Sequence, residues 1–324
     1  MLIRDAQPDD DDAVVHLLAS SLGWVPDDQH RRFLEWKHRE NPFGSSPAWV
    51  AVDGDRVIGY RALLRWEFER AGGHRIRAVR AVDTATDPQY RGQGVFNRLT
   101  MHAIDACARD GVEFVFNTPN DSSRPGYEKM GWQVVGRLPA RVRLRGPHVV
   151  ARLLRARVPA DLWSVPTTAG SAPTSVFTED RSLDALCSSS DPTPGVMRTR
   201  RSIPYLRWRY GFAPLGYRVV MPAETPEEGF AVFRLRRRGG ALEAVLCELL
   251  VPSGRARLSR HLTREILRQT RADYVIRLGG SRFERGWVTL PSSGPILTWR
   301  PLTVDAPTIG KREWALTLGD IELL

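Results

Sequence analysis

Between Val82 and Phe96 the chain reads VDTATDPQYRGQGVF, and the residues there suit the binding of a phosphate. Gly92 and Gly94 stand just ahead of an apolar-periodic segment, so several backbone N–H groups can converge at a helix start. With no side chain at either glycine an anion can approach closely, and the first-turn amides and the helix dipole favour its charge. Arginine dominates the basic residues: only Lys37, Lys129 and Lys311 are lysines among 47 Lys and Arg. The net charge of +10 agrees with an anionic ligand or partner without naming one.

Other chemistries find less support. Cys107, Cys187 and Cys247 lie far apart with no Cys/His spacing, which argues against a disulfide framework and a zinc site and for three buried small hydrophobes. The Asp9–Asp12 run precedes an apolar-periodic stretch and reads as a helix start, not a metal site. No apolar run reaches the roughly 18 residues that span a bilayer, and the N-terminus lacks a signal-peptide pattern. A soluble, cytoplasmic protein with no membrane partner is expected.

The elements that must position the turn can be read from periodicity. A short strand from Leu2 leads to helices ending near Leu22 and at Asn41-Pro42. Ala48–Val52 then reads as a strand and Asp53-Gly54 as a hairpin turn. Strict alternation from Val57 to Phe68 predicts a long half-buried strand with Ile58, Tyr60, Ala62, Leu64, Trp66 and Phe68 on one face. Gly72-Gly73 returns it as Ile76–Thr86, completing an antiparallel meander. Val95, Leu99, Ala103, Ile104 and Cys107 give the next helix its buried stripe, and Val112–Phe116 is expected to return parallel to the preceding strand. A short helix near Arg124–Met130 is closed by Gly131, and Trp132–Leu144 is expected to supply the last strands of this half.

The meander, the Gln/Arg-x-x-Gly-x-Gly turn (PQYRGQG), the Pro119-Asn120 step and YEKMGW, in this order, resemble the GNAT superfamily of acyl-CoA-dependent N-acyltransferases from about Leu2 to Leu144. The resemblance implies that the amides of Gly92, Gln93, Gly94 and Val95 hold the pyrophosphate of coenzyme A, with Arg91 near its charge. It implies that the strands before and after the helix splay apart around the pantetheine arm. Thr84, Ala85, Thr86, Phe96, Asn120 and Ser123 would line the cofactor, and Tyr127 would protonate the leaving thiolate. Attack on the thioester needs a neutral amine, and Asp83 is the candidate base; the bland alternative is an aspartate paired to Arg75, Arg77 or Arg80. Glu67 and His30 are weaker alternatives to Asp83 and, with Glu35 or His38 on one helix, acceptor-side candidates; the terminal carboxylate at Leu324 is a further alternative base. No metal is required.

The second half repeats the first. Phe33-Leu34-Glu35-Trp36-Lys37-His38 aligns without gaps on Tyr205-Leu206-Arg207-Trp208-Arg209-Tyr210, each followed by Pro and Gly at matching offsets. Where the first half has QYRGQG, the second has Val251-Pro252-Ser253-Gly254-Arg255-Ala256, and it lacks a counterpart of Tyr127. The expected organisation is thus α+β with a mixed sheet in each of two tandem domains: a catalytic domain at 1–146, a linker at 147–196 rich in Pro, Ser and Thr, and a degenerate GNAT-like copy at 197–324 that completes the acceptor site. Arg257, Arg260, Arg264, Arg268 and Arg271 form a basic helix face without interleaved aromatics, so nucleic acid is not the expected partner. The expected function is acetyl-CoA-dependent acetylation of a primary amine on a small molecule: an amino sugar, an antibiotic-like metabolite or an amino-acid derivative. The alternatives are a tRNA-dependent aminoacyl transferase of tandem type and a non-catalytic acyl-CoA-binding module.

Overall fold

The computed structural model describes residues 1–324 apart from 156–157, 179–180, 190–193, 223–224, 253, 281–283, 304–308 and 323–324, so the terminal carboxylate of Leu324 lies outside the described residues. The chain divides into two compact units. The first takes Met1–Glu69, His74–Gly136 and Ile296–Lys311; the second takes Arg70–Gly73, Arg137–Pro295 and Arg312–Leu324. Each is a mixed sheet flanked by helices, and among the described residues no helix is long and apolar enough to cross a membrane.

The first unit opens with β1 (Leu2–Asp5), α1 (Asp11–Leu22) and α2 (Asp28–His38). Of the acidic residues ahead of these helices Asp27 caps α2, whereas Asp10 closes the short 3-10 turn Pro8–Asp10 that leads into α1. Asp10 accepts the Gln7 N–H at 2.7 Å and pairs with Arg4 at 2.7 Å, and Asp27 accepts the His30 N–H at 2.8 Å. Next, β2 (Ala48–Asp53), β3 (Arg56–Glu69) and β4 (Arg75–Thr86) form the antiparallel meander. A crossover helix, α3 (Val95–Arg109), leads to β5 (Phe114–Asn117), which is parallel to β4. The unit continues through α4 (Arg124–Lys129) and β6 (Gln133–Arg137). Its sheet runs in the order β1, β2, β3, β4, β5, then the late strand Ile296–Pro301, then β6.

On one face α3 seats Val95, Leu99, Ala103, Ile104 and Cys107 against Leu63, Val79 and Val115, the apolar stripe read from its sequence. The helix docks closely because Gly59 has no side chain: a Cβ there would lie 2.7 Å from Val95 and 2.8 Å from Leu99. On the other face Val14, Leu17 and Leu18 of α1 cover Tyr60, Ala62 and Ala85.

The single apolar face expected of β3 is corrected in two respects. Both faces are buried from Ile58 to Leu64, since helices cover the sheet on either side. In addition, Ile58 is an extra residue between the pairs Ala51↔Gly59 and Val52↔Val57, so it joins the α3 cluster and not that of Tyr60. A second bulge matters more for chemistry. Arg61 pairs with Thr84 and Ala62 with Val82, leaving Asp83 extra in β4 with φ of +31°.

In the second unit the sheet order is Val288–Thr289, Ala140–Leu144, Tyr274–Leu278, Ala241–Leu250, Phe230–Arg238, Arg218–Val220. An antiparallel meander again precedes a helix, Ala256–Thr270, and a strand parallel to the last of the meander. Ala140–Leu144 is therefore not a closing strand of the first sheet: it pairs antiparallel with Tyr274–Leu278. Alternation makes a strand but does not choose its neighbour. Nor is 147–196 a loose connector, since it carries helices Val150–Arg155, Pro173–Val176 and Arg181–Ser189, with Val176, Phe177, Leu183 and Leu186 buried. Pro147 and Pro173 open its short helical turns Pro147–Val149 and Pro173–Val176, and its buried apolar residues pin it down.

Candidate active site

Asp87 starts the turn by accepting the Gln89 N–H at 2.9 Å. Tyr90 fastens it to the β2–β3 hairpin through a 2.8 Å bond from its hydroxyl to Asp53. Gly92 and Gly94 then take left-handed conformations with φ of +77° and +76°, and Gly94 is the N-cap of α3. A Cβ at either would have no neighbour within 4 Å, so the space before the helix is open. The Gln93 N–H is held by Tyr90 C=O at 3.4 Å, whereas the first-turn amides of Val95 and Phe96 have no intrahelical acceptor. Arg91 is exposed beside them. These features fit an anion at this helix start.

Beyond the turn the sheet opens. β4 and β5 pair only over Ala78↔Phe114, Val79↔Val115 and Arg80↔Phe116, so the stretch of β4 holding Thr84, Ala85 and Thr86 is paired to β3 alone. Tyr127 of α4 is buried between Phe96, at 5.4 Å between ring centroids, and Trp132, at 5.1 Å. Trp132 belongs to the same YEKMGW motif, which thereby supplies both the phenol and its wall. The Tyr127 hydroxyl oxygen accepts a 2.8 Å hydrogen bond from Arg61, a fully buried residue of β3. At the head of α4, Asn120 is exposed, and its Oδ1 accepts the Ser123 N–H at 2.9 Å and the Ser123 hydroxyl at 2.8 Å.

A cavity of about 750 Å³ lies among α1, α2, β2 and β3, with Val14, Leu34, Glu35, His38 and Tyr60 in its lining. His38 joins this cavity to the bulge in β4: its Nε2 is 2.7 Å from Asp83 Oδ2. Lys37, fully buried, lies 2.8 Å from the same oxygen and donates to Oδ1 at 3.1 Å. Burial pushes the Asp83 carboxyl up, but the Lys37 charge and the His38 hydrogen bond outweigh it and hold the group well below the carboxylate range. For His38 the balance is reversed: burial lowers the imidazole, and the bond and charge of Asp83 only partly oppose it. The pair is thus a neutral imidazole donating Nε2–H to a carboxylate. Among the described residues its Nδ1 is buried with no hydrogen-bond partner, so no donor occupies its lone pair.

Residues 2–135 match the family model described as the acetyltransferase (GNAT) domain. They are a GNAT domain. That match supports acyl transfer as the chemistry of the domain. No curated protein sequence matches it. Among solved structures it is similar to a GCN5-related N-acetyltransferase from Anabaena variabilis, with a TM-score of 0.67 at 14% identity over 94% of this chain and 73% of that one. A conserved protein of unknown function from Enterococcus faecalis, described as a probable N-acyltransferase, gives 0.65 at 10% identity over the same shares. Eis1 from Mycobacterium abscessus gives 0.59 at 15%, over 94% of this chain and 75% of that one. At these identities the likeness concerns the fold, and it extends through both units.

Within the GNAT domain the structure gathers some candidates and disperses others. Phe96, in the first turn of α3 after Gly94, packs on Tyr127, whose hydroxyl is bonded to Arg61, the register partner of Thr84 on β4. Asp83 keeps company with Lys37 and His38 and not with Arg75, Arg77 or Arg80, because the bulge turns it towards α2. Glu35 lines the cavity and pairs with Arg32 at 3.4 Å. His30 does not line it: it is buried against Trp24, at 5.1 Å between centroids, with Nδ1 2.7 Å from Asp27. Glu67 is also away from the lining, in β3 opposite Arg77. Sequence reasoning missed Arg61 and Lys37. The signal for Arg61 was a lone charge inside the apolar run Ile58–Leu64; for Lys37 it was a rare lysine between Trp36 and His38.

Proposed function

We propose that the chain is an acetyl-CoA-dependent N-acetyltransferase that acylates a primary amine of a small molecule such as an amino sugar, an antibiotic-like metabolite or an amino-acid derivative. The observations that carry this reading are the opening between β4 and β5, the glycine-led helix start and buried tyrosine of the same domain, and a cavity among α1, α2, β2 and β3 with a neutral histidine in its lining. When bound, acetyl-CoA supplies an acyl group already activated as a thioester. The amides after Gly92 and the Arg91 charge hold its pyrophosphate, and the unpaired edge at Thr84–Thr86 receives the pantetheine amides, with Asn120 and Ser123 at the mouth.

The cavity between α1 and α2 takes the acceptor. His38 Nδ1 removes a proton from the amine as its nitrogen attacks the thioester carbonyl. Asp83 holds Nε2–H and balances the imidazolium that forms, while Lys37 keeps Asp83 ionised. As the carbon–sulfur bond breaks, Tyr127 gives its phenolic proton to the sulfur. The amide product and the thiol then leave. In this scheme Asp83 acts through His38 and does not itself take the proton. The second unit, which repeats the meander–helix–strand order without the glycine pair, is assigned a supporting and not a second catalytic role. Acetyl-CoA turnover against a panel of amines tests the proposal, with Gly94→Asp as the control. Loss of thermal protection by coenzyme A and of turnover in that variant is expected; unchanged behaviour would refute it.

A further inference from the structure

Among the described residues Arg61 is a cation enclosed without a counter-ion. Its side chain is fully buried, and among the described residues its hydrogen bonding is limited to the donation from NH1 to Tyr127, while Nε and NH2 have no partner. The rings of Phe96 and Tyr127, at 5.9 and 5.5 Å from the guanidinium carbon, offer their faces and nothing more. A buried guanidinium in this state is costly, because desolvation is not repaid by an anion or by satisfied donors. A charge retained under these conditions suits a partner that exists only while the reaction proceeds.

We infer that Arg61 is a positioning residue for the acyl transfer, aiming the Tyr127 proton and holding the negative charge that its departure leaves. The inference rests on the reading of Tyr127 as the acid. Because the Tyr127 oxygen accepts from Arg61, its own O–H must point away from the guanidinium, leaving that hydrogen for the sulfur. As the amine nitrogen bonds to the carbonyl carbon and the carbon–sulfur bond breaks, the electron pair goes to sulfur. Sulfur takes the Tyr127 proton, and the phenolate faces Arg61 as an ion pair. Solvent reprotonates Tyr127 and takes up the proton that His38 removed from the amine, so both groups are restored as the thiol leaves. The site also explains why the residue is arginine, since the planar fork fixes direction as well as charge. It reaches Tyr127 from β3 at the register position opposite Thr84, next to the Asp83 bulge.

A double-mutant cycle on the full chain separates this role from packing. Arg61→Gln should lower kcat about 10²-fold, within the range of acid–base contributions, with little change in KM for acetyl-CoA. Arg61→Lys should recover part of the loss. Tyr127→Phe should lower kcat similarly, and the double variant should be no slower than Tyr127→Phe alone, because the guanidinium then has no proton to aim. If Arg61→Gln does not fold cooperatively, the cycle is run with Arg61→Lys, for which the same non-additivity is expected. Multiplying losses, or a change confined to KM, would overturn the role of Arg61 while leaving the acetyltransferase reading intact. An unaltered rate in Tyr127→Phe would remove the acid and, with it, the role of Arg61.

Discussion

Asp83 is shared by the Lys37 ammonium and the His38 imidazole, and the pH response of the site follows from how they divide it. Lys37 and the His38 hydrogen bond keep Asp83 ionised far into acid, and burial keeps His38 neutral below its ordinary value of 6.5. Both folded-state values are depressed. Their contribution to stability is therefore present above the unfolded values and is lost as pH falls through and below them, first for the histidine and later for the aspartate. Urea unfolding at pH 7.5 and 5.5 should show a steeper loss for the wild type than for His38→Gln. In catalysis the same neutrality keeps the base available, so the acidic limb of kcat/KM should lie below pH 6.5 and flatten in His38→Gln, with kcat reduced by about 10²- to 10³-fold. Asp83→Asn should cost a comparable amount by disturbing the imidazole tautomer. The candidate aspartate was legible from its place on the strand before the turn. Its partners were not, because a bulge of one residue redirects a side chain and leaves no mark in an alternating pattern.

At the scale of elements, the position of α3 decides whether the helix start faces the gap. Gly59 permits that approach, and Gly59→Val would press on Val95 and Leu99. Overpacking of this kind costs about 1–3 kcal/mol, and because the displaced residues begin the helix, coenzyme A affinity should fall with stability. Thermal melts with and without coenzyme A would show both effects, whereas a variant that melts lower yet binds normally would contradict the coupling. The helix, its stripe and the glycine turn were readable because each is specified within about 25 residues of chain. The burial of both faces of β3 was not, since it depends on α1 and α3 covering the same strand from opposite sides.

For the whole molecule, the order of segments differs from the order of units. The first sheet draws Ile296–Pro301 from near the C-terminus, with Trp299 opposite Phe116 and Arg300 opposite Val115. The second draws Ala140–Leu144 from just after β6. A fragment ending at residue 146 would therefore leave β5 without its outer partner and should fail to give a cooperative unfolding transition by circular dichroism. A well-folded fragment would show that the late strand is dispensable. The internal repeat pointed to two similar halves, but local patterns define strands and not the sheet edge each one reaches, so the exchange could not be foreseen.

The central claim is that this chain transfers acetyl from coenzyme A to an amine at the gap between β4 and β5, with Tyr127 as the acid and the His38–Asp83 pair as the base. Its most direct test is steady-state release of free thiol from acetyl-CoA with an amine panel, for wild type, Tyr127→Phe and His38→Gln together. The account predicts amine-dependent release by the wild type and a fall of about 10²-fold or more in each variant, with coenzyme A still bound. Thiol release that ignores the amine, or that persists unchanged in both variants, would contradict it.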